Sequence, residues 1–544
     1  MSTQQYVNEN FRDFLERLRR ENELTDIRQP VDIRHIATLV DQAETALLFH
    51  NVIGYEIPVV SGILRSRKRA IMSMGCEVYS QIEQKLQHGI EHPIEPKYVQ
   101  RTPNKEVIEI GDAVDLYRLP IPMSSIYDGG PMITAGVVIA KDREFGFNSG
   151  MYRFMVKEKN LTGIDIVTPN NMRLFAQRAY EAGQPCPISI SMGTHPFEIM
   201  GSGFRAPLGV DEMAIAGGIR GAAVELGMCE TIDMPCIADA EIVLEAEILP
   251  TGWTHPEGRF GEFTRLMGGL HWNPLVRIKA VTMRRDAIYY ALHMPWENTW
   301  LAAPTRYAVL RRALKTAGVQ VKDINVTLGG CGFWHAIISI KKQAGEGKNA
   351  LMAALTAMDM KHVVVVDDDI DVFDATDVEW AIATRVQGDK DIVIIPGARA
   401  KPLDPSLPVT SPGVVPTGAK VGVDATIPEG VPRERYERIA YAYADRAKID
   451  DYLQGKADQP SIGHSDDKTI ADLAMKIYKL IDAEPKYYQE IAEYFADYDF
   501  QVVARSLGKL HTEEKLWQDA HGRACVRGSK FSAKAPLNRN DESA

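Results

Sequence analysis

The stretch FNSGMYRFMV, residues 147–156, has the alternating pattern of a β-strand and lies in the middle of a run of similar short segments. If residues 149–156 form a strand, Arg153 lies between Met151 and Met155 on one face. On a buried face an arginine needs a carboxylate or phosphate partner, because an unpaired buried guanidinium costs several kcal/mol. The stretch therefore predicts a buried strand with an ion pair, which by itself is most often a structural one.

Six other segments around this stretch are also strand-like, and clusters of Gly, Pro, Asn and Asp separate them. Helices are predicted only near residues 171–183 and 211–227 in this region. Many short strands with few helices favour an antiparallel sheet or barrel. The strand-like segments are 107–110, 133–140, 188–192, 242–249, 275–283 and 288–293.

The regions on both sides alternate helices with strands, which is the pattern of α/β domains. On the N-terminal side, apolar residues at helical spacing predict a helix capped by Asn10, then helices at 33–46 and 72–90 and a strand at 57–60. Residues 402–432 are rich in Pro and Gly and predict a long loop that is either functional or disordered. Beyond residue 303 the predicted helices are 306–317, 349–357 and most of the tail from 467, and the predicted strands are 324–328, 334–340, 363–366 and 392–395.

Length and composition indicate a cytoplasmic enzyme of several domains. At roughly 150 residues per domain, 544 residues correspond to about three domains, or to two large ones. A net charge of −11 argues against nucleic acid or an anionic membrane as the main partner. The longest apolar stretches, such as 133–140, are far shorter than a spanning helix, and the N-terminus has no apolar signal region. Six scattered cysteines without a CxxC pair predict neither a disulfide framework nor a thiolate zinc site.

Two stretches carry several carboxylates. In HPEGRFGE, residues 255–262, glycines separate Glu257 from Glu262, and paired carboxylates can divide into an acid and a base. In VVVVDDDIDV, residues 363–372, an apolar strand ends in aspartates that could ligate Mg²⁺ or Ca²⁺. They could equally cap the next helix or pair with Arg385, and this structural alternative is favoured. The aspartates are Asp367, Asp368, Asp369 and Asp371.

Several known fingerprints are missing from the sequence. The glycine pairs, for example Gly129–Gly130, match neither GxGxxG nor GxxxxGK[ST]. The chain also has no GxSxG and no HExxH motif.

Together the segments resemble the UbiD family of decarboxylases, with matches in the family's order over residues 10–450. They are LFHNVIGYEIPVVSGILRSRKRAI (48–71), DLYRLPIPMSSIYDGGPMITAG (115–136), FNSGMYRFMV (147–156), PLGVDEMAIAGGIRG (207–221), PEGRFGE (256–262), VVVVDDDIDVFDATDVEWAIATR (363–385) and GAKVGVDAT (418–426).

The resemblance implies a mixed α/β (α+β) fold in four parts. These are an N-terminal α/β domain (1–110), a split β-barrel that binds prenylated FMN (111–302), a C-terminal α/β domain that helps to oligomerise (303–466) and a helical extension (467–544).

The resemblance also implies prenylated FMN, held through its phosphate by a divalent ion, usually Mn²⁺, and by K⁺. Asn148 and Glu212 fall on metal ligands, and Asn171 falls where ferulate-decarboxylase-like members have a histidine. Asparagine is a weaker Mn²⁺ ligand than imidazole, so the metal and its third ligand stay open. The remaining implied cofactor contacts are Met151, Tyr152, Arg153 and Lys420, the last to the phosphate, and the implied K⁺ ligands are Ser149, Gly201, Ser202 and Phe204.

Three residues fall on the family's catalytic set. Arg153 matches the catalytic arginine, Glu257 the glutamate that pairs with it, and Glu262 the acid that protonates the product. We expect Glu257 to stay ionised against Arg153 and Glu262 to be protonated in a desolvated site.

The family performs reversible, non-oxidative decarboxylation of aromatic or α,β-unsaturated acids. The expected substrate is an aryl or aryl-acrylic acid or an aryl-CoA thioester such as phthaloyl-CoA, and a UbiX-like prenyltransferase would supply the cofactor to a homodimer or homohexamer. A non-catalytic or cofactor-binding subunit of a multi-subunit carboxylase and an ordinary FMN oxidoreductase are the alternatives. In HMPWENTW, residues 293–300, the side chains of His293, Trp296 and Trp300 either form an aromatic pocket wall or pack in the core, with equal weight.

Overall fold

The computed structural model describes residues 6–167, 169–204, 206–357, 360–408, 414–456 and 466–534. The chain folds into two compact units, Met1–Val431 and Pro432–Ala544. Within the described ranges, no helix combines the length and the apolar character needed to cross a bilayer.

The first unit begins with a small α/β region. Helix α1 starts after Asn10, whose side chain accepts a hydrogen bond from the backbone of Asp13 at 2.9 Å, as the sequence predicted. The predicted helix at 72–90 is two helices, and the one predicted at 33–46 ends at Gln42 because the chain turns into a buried strand. The elements are α1 (Phe11–Arg20), β1 (Leu24–Ile27), α2 (Ile36–Gln42), β2 (Ala46–Phe49), β3 (Val59–Ser61), α3 (Arg67–Ser73), α4 (Tyr79–Glu91) and β4 (Lys97–Tyr98).

A closed six-stranded barrel follows, as the run of short strands predicted. Its order is β12-β9-β6-β7-β8-β15, closed by pairing of β15 with β12, while β5 extends the sheet. Residue 225 already belongs to a strand, so the helix predicted at 211–227 is shorter than expected. The elements are β5 (Val107–Ile110), β6 (Met132–Asp142), β7 (Gly146–Glu158), β8 (Leu161–Gly163), α5 (Asn171–Glu181), β9 (Cys186–Met192), α6 (Pro196–Ser202), α7 (Glu212–Arg220), β10 (Glu225–Met228), β11 (Pro235–Ile237), β12 (Ile242–Ile248), β13 (His255–Glu257), β14 (His271–Asn273), β15 (Leu275–Met283) and β16 (Tyr289–Ala291).

The rest of the first unit is an α/β layer around a five-stranded sheet of order β17-β18-β19-β21-β20. The prediction of a long loop at residues 402–432 is wrong in part, because β21 lies inside this range and pairs with both β19 and β20. Its elements are α8 (Trp296–Thr316), β17 (Val321–Val326), β18 (His335–Ile340), α9 (Glu346–Thr356), β19 (His362–Asp367), α10 (Ala375–Arg385), β20 (Ile392–Arg399) and β21 (Thr417–Ala425).

The aspartates at the end of β19 have the structural role that the sequence favoured. Asp367 and Asp369 pair with the buried guanidinium of Arg385 at 2.9 and 2.7 Å. Asp371 accepts the backbone N–H of Phe373 at 2.9 Å. These contacts satisfy the buried arginine and fix the turn into α10.

The second unit is mostly helical, as predicted for the tail. Apolar residues of α12 and α14 form its core with those of α13, and a short hairpin follows. Its elements are α11 (Ile449–Leu453), α12 (Asp467–Ala483), α13 (Tyr488–Tyr494), α14 (Phe500–Thr512), β22 (Leu516–Gln518) and β23 (Ala524–Val526).

Candidate active site

Arg153 on β7 has the carboxylate partners that its position between two methionines required. Its Nη1 lies 2.8 Å from Glu262 Oε1 and its Nη2 lies 2.6 Å from Asp165 Oδ2. Its Nε is 3.7 Å from Glu257 Oε1. The guanidinium therefore has an acidic group near each of its three nitrogens, and the charges of Asp165 and Glu262 raise its pKa against the opposing effect of burial.

Glu257, at the end of β13, is the most enclosed of these carboxyls. Its side chain is fully buried, and neither of its oxygens has a hydrogen-bond partner. Burial, followed by the negative charge of Asp165, raises the pKa of Glu257 to about 7, although the charges of Arg153 and Lys157 oppose the shift. This contradicts the expectation that Arg153 keeps Glu257 fully ionised, because the contact at Nε is too long to offset the desolvation.

Glu262, in the loop after β13, is the glutamate that accepts the arginine's hydrogen bond, at 2.8 Å. It lines the cavity beside Arg153, whereas Glu257 is not among the lining residues. The backbone N–H of Glu262 donates to Leu266 O at 2.8 Å, which fixes the loop. The two glutamates that the sequence singled out thus lie near one guanidinium but in different environments.

Sequence reasoning missed Asp165 and His271. Asp165 follows β8 and accepts hydrogen bonds from His271 Nδ1 and Asn273 Nδ2, each at 3.3 Å. The segment Ile164-Asp165-Ile166 does carry a signal, because its two isoleucines are buried and the aspartate stands between them. His271 carries no such signal, since only the pairing of β14 with β13 brings it opposite Glu257.

A second polar group lies on the cavity wall where β7 meets α7. Asn148 Nδ2 donates to Glu212 Oε1 at 2.8 Å, and Ser149 N donates to Glu212 Oε2 at 2.7 Å. Asn148 Oδ1 and Ser149 Oγ are buried without a hydrogen-bond partner. Burial raises the pKa of Glu212 to about 7. Oxygen atoms of this kind suit a hard cation beside a phosphate, so the residues fit the expected metal and flavin phosphate.

Most of the other implied ligands also line this cavity. Asn171, at the start of α5, lines the cavity, and its Nδ2 is 3.4 Å from Ala206 O. Of the implied K⁺ ligands, Ser149, Ser202 and Phe204 line it and Gly201 does not. Met151 and Tyr152, two of the implied cofactor contacts, also line it.

The cavity measures about 640 Å³, which is in the usual range for small-molecule sites. On one side Phe263 and Phe333 stack with ring centroids 3.8 Å apart, and Phe260 is a further lining residue. Arg306 and Lys401 are lining cations, and the Arg306 Cζ is 3.2 Å from the centroid of Phe333. The wall thus combines flat apolar surface with positive charge.

Two predictions for pocket residues differ from the structure. Lys420 is not a lining residue, because β21 directs its ammonium to Leu355 O at 2.5 Å, and Lys401 lines the cavity instead. His293, Trp296 and Trp300 are not lining residues either. Trp300 packs edge-on against Tyr79 at 5.8 Å, so the packing alternative holds there.

Comparison with known proteins gives consistent matches along the chain. The family models for the N-terminal, Rift-related and C-terminal domains of 3-octaprenyl-4-hydroxybenzoate carboxy-lyase (UbiD) match residues 15–87, 97–295 and 299–425. Anhydromevalonate phosphate decarboxylase of Methanothermobacter thermautotrophicus is 35% identical over 439 residues, which cover 79% of this chain and 99% of that protein.

Solved structures that resemble this chain are also UbiD-class enzymes and decarboxylases. The UbiD-class enzyme HmfF from Pelotomaculum thermopropionicum in complex with FMN has a TM-score of 0.77 at 38% identity and covers 82% of this chain and 100% of its own. An evolved dimeric form of it, in complex with prFMN, has a TM-score of 0.74. Apo 3,4-dihydroxybenzoic acid decarboxylase (AroY) of Klebsiella pneumoniae has a TM-score of 0.72 at 27% identity and covers 85% of this chain and 99% of its own.

Proposed function

The chain belongs to the UbiD family of carboxy-lyases, and we propose that its reaction is the reversible, non-oxidative decarboxylation of an aromatic or aryl-acrylic carboxylic acid. The observation that carries the proposal is the pairing of Arg153 with Glu262 at 2.8 Å on the wall of a large cavity. A guanidinium binds a carboxylate well, and a carboxyl beside it can deliver a proton to the carbon that loses CO₂.

The apolar side of the cavity supports a planar substrate. Phe263 and Phe333 present stacked rings, and aromatic rings attract other flat π-systems by offset or edge-on contact. An aryl-CoA thioester such as phthaloyl-CoA belongs to the same class, since it presents the same planar acid. The relationship to AroY, a decarboxylase of 3,4-dihydroxybenzoic acid, also supports an aromatic acid.

Prenylated FMN is the cofactor that we propose, and the complexes of HmfF with FMN and prFMN support it. When bound, it supplies an electron-accepting centre for the carbon that loses CO₂. A UbiX-like prenyltransferase would be its source. For its phosphate we assign a divalent ion, Mn²⁺, to Asn148, Asn171 and Glu212, and K⁺ to Ser149 with the carbonyls of Gly201, Ser202 and Phe204.

The residues that line the cavity have separate roles in the proposed reaction. Arg153 orients the substrate carboxylate, because its position is fixed from two sides by Glu262 and Asp165. Glu262 holds the proton that replaces CO₂ and takes it back in the reverse direction. The phenylalanines exclude water, which strengthens every charge interaction inside the cavity.

A non-catalytic or cofactor-binding subunit of a multi-subunit carboxylase is the alternative. The acidic cluster around Arg153 argues against it, because burying charged groups is costly and a scaffold gains nothing from them. An absorbance spectrum of the purified protein separates a loaded flavoenzyme from a flavin-free scaffold.

We also propose a homodimer or homohexamer. The second unit exposes apolar side chains, among them Ile439 at 89%, Tyr441 at 83% and Leu453 at 77%. Exposed apolar surface of this kind typically marks an interface. Light scattering at micromolar concentration tests it, and a monomer would contradict it.

Reconstitution tests the function. The protein made without a prenyltransferase should be inactive and should gain activity when prenylated FMN and Mn²⁺ are added. A panel of aryl and aryl-acrylic acids, followed by CO₂ release and by solvent deuterium exchange, then identifies the substrate. Full activity in flavin-free protein, or no exchange with any acid of the panel, would overturn the proposal.

A further inference from the structure

Asp165 connects Arg153 to a histidine that the proposed chemistry does not use. Its Oδ2 is 2.6 Å from Arg153 Nη2, and both of its oxygens are 3.3 Å from His271 Nδ1. Asn273 Nδ2, two residues further along β14, reaches Asp165 Oδ1 at 3.3 Å. One carboxylate is thus held by three side chains from two strands, and only one of them is the catalytic arginine.

The hairpin of β13 and β14 places His271 directly opposite Glu257, because the two residues are partners in the strand register. Arg153 therefore has Glu257 near its Nε, and the Asp165–His271 pair lies at its Nη2. The side chain of His271 is 25% exposed, whereas Glu257 is fully buried. His271 is the member of the cluster that can exchange protons with solvent most easily.

The carboxyl of Asp165 belongs to a cluster of charged and titratable side chains. The groups that face one another are the carboxyls of Asp165, Glu257 and Glu262 and the cations Arg153 and Lys157, with His271 between them. Lys157 donates to Pro256 O at 2.7 Å from the partly exposed side. A protonated His271 offsets the charge of Asp165, so the ionic state of this pair decides how strongly the cluster holds Arg153.

We propose that Asp165 is a positioning residue of the decarboxylation, which fixes Arg153 through its second amino group and, with His271, controls the protonation of the catalytic cluster. The proposal rests on the proposed function. Glu262 accepts a hydrogen bond from Nη1, and Asp165 forms an ion pair with Nη2 at 2.6 Å without hydrogen-bond geometry, so the two carboxylates together orient the guanidinium from both sides.

The directions of the pKa shifts agree with this geometry. The hydrogen bond that His271 donates to Asp165 is the largest cause that raises the pKa of His271, and burial opposes it. The negative charge of Asp165 also raises the pKa of Glu257, after burial itself. Removing that charge should therefore lower both pKa values and move the pH dependence of the reaction towards lower pH.

The main test is Asp165→Asn, which keeps the size of the side chain and removes its charge. We expect kcat to fall by about 10- to 100-fold, because a misplaced guanidinium no longer orients the carboxylate. We also expect the pH profile of kcat to shift by about one unit to lower pH. An unchanged profile with unchanged kcat would overturn the proposal, and so would a loss of kcat without any shift of the profile, since that is a merely structural effect.

A second measurement needs neither cofactor nor substrate. Diethyl pyrocarbonate modifies neutral imidazole, so its rate at His271, followed by mass spectrometry against pH, reports the pKa of this side chain in the apoprotein. The midpoint should lie at lower pH in Asp165→Asn than in the wild type, and equal midpoints would contradict the pairing. If Asp165→Asn does not fold, His271→Gln takes its place, and it should shift the pH profile of kcat in the opposite direction, because the charge of His271 lowers the pKa of Glu257 whereas that of Asp165 raises it.

The N-terminal region offers a matched control. Asp26 also lies between an arginine and a histidine, at 2.7 Å from Arg19 Nε and 2.6 Å from His50 Nε2. Asp26→Asn removes the same kind of triad outside the site and should leave kcat and its pH profile unchanged. If the wild-type enzyme decarboxylates no acid, the proposed function has failed, while the modification of His271 still decides whether Asp165 controls the histidine.

Discussion

Asn148 on β7 and Glu212 at the start of α7 are joined by a hydrogen bond of 2.8 Å from Nδ2 to Oε1. They are 64 residues apart in the chain, and the contact leaves Asn148 Oδ1 buried without a partner. A buried acceptor without a partner is costly, so this geometry is best explained by a ligand that completes it.

Glu212→Ala should lose both the divalent ion and the flavin. The change removes the carboxylate and one partner of Asn148, and we expect flavin affinity to fall about 100-fold or more. Flavin absorbance and metal analysis of the purified variant measure it. Glu83→Ala is the control, because Glu83 is also buried with a pKa raised to about 7 by burial but pairs with Arg311 instead. Normal flavin content in Glu212→Ala would show that the assigned site is wrong.

Asn171→His should tighten Mn²⁺ binding, because imidazole is a stronger ligand for this ion than an amide oxygen. Titration of the apoprotein with Mn²⁺ in the presence of FMN measures the affinity. A variant that no longer binds the ion at all would place the third ligand elsewhere on the wall.

Glu262→Gln should slow the reaction by roughly 10²–10⁴, the usual contribution of one acid–base group. The amide keeps an oxygen acceptor for Arg153, so substrate should still bind. Deuterium exchange into the product carbon should fall in parallel with turnover. Glu247→Gln, which alters a carboxylate paired with Lys279 on the barrel, is the control. Wild-type rates of exchange in Glu262→Gln would assign the proton to another group.

Glu257 should make the stability of the protein depend on pH. Its pKa is about 7 in the folded protein against an ordinary value of 4.5, so the folded state binds more protons between these two values. Its contribution is therefore fully present below pH 4.5 and is lost as the pH rises through about 7. Glu257→Gln should remove this loss and make the variant more stable than the wild type by up to about 3 kcal/mol at pH 8.

Thermal unfolding of wild type and Glu257→Gln at pH 4.5 and pH 8 measures this difference. The advantage of the variant should appear only at the higher pH. If Glu257→Gln were more stable than the wild type by the same amount at both pH values, packing and not ionisation would explain the difference.

Lys420→Met should leave flavin content unchanged, because the ammonium of Lys420 donates to Leu355 O and does not line the cavity. We expect a loss of about 1 kcal/mol in stability from the missing hydrogen bond. A fall in flavin content, measured by absorbance, would instead support the contact between Lys420 and the flavin phosphate that the family resemblance implies.

The sequence predicted the barrel and a carboxylate partner for Arg153 because both depend on local signals, but it assigned the pairing to Glu257, whereas the shorter contact is to Glu262. Strand alternation put Arg153 on a buried face, and the glycines of the 255–262 loop let Glu262 approach it. His271 and Lys420 could not be assigned in this way. Their surroundings depend on which strands pair, β14 with β13 and β21 with β19 and β20, and a local pattern does not determine strand partners.

Two residues without side chains set the position of Glu257. A Cβ atom at Gly163 would lie 2.6 Å from Glu257 Oε2, and one at Gly129 would lie 1.9 Å from the backbone oxygen of Gly258. Gly129 N also donates to Arg259 O at 3.0 Å. The position of the Glu257 carboxyl therefore depends on residues that take no part in any reaction. Relatives that keep Arg153, Glu257 and Glu262 but carry a larger residue at either glycine should hold a displaced Glu257, so an intact set of charged residues is not sufficient to recognise a working enzyme.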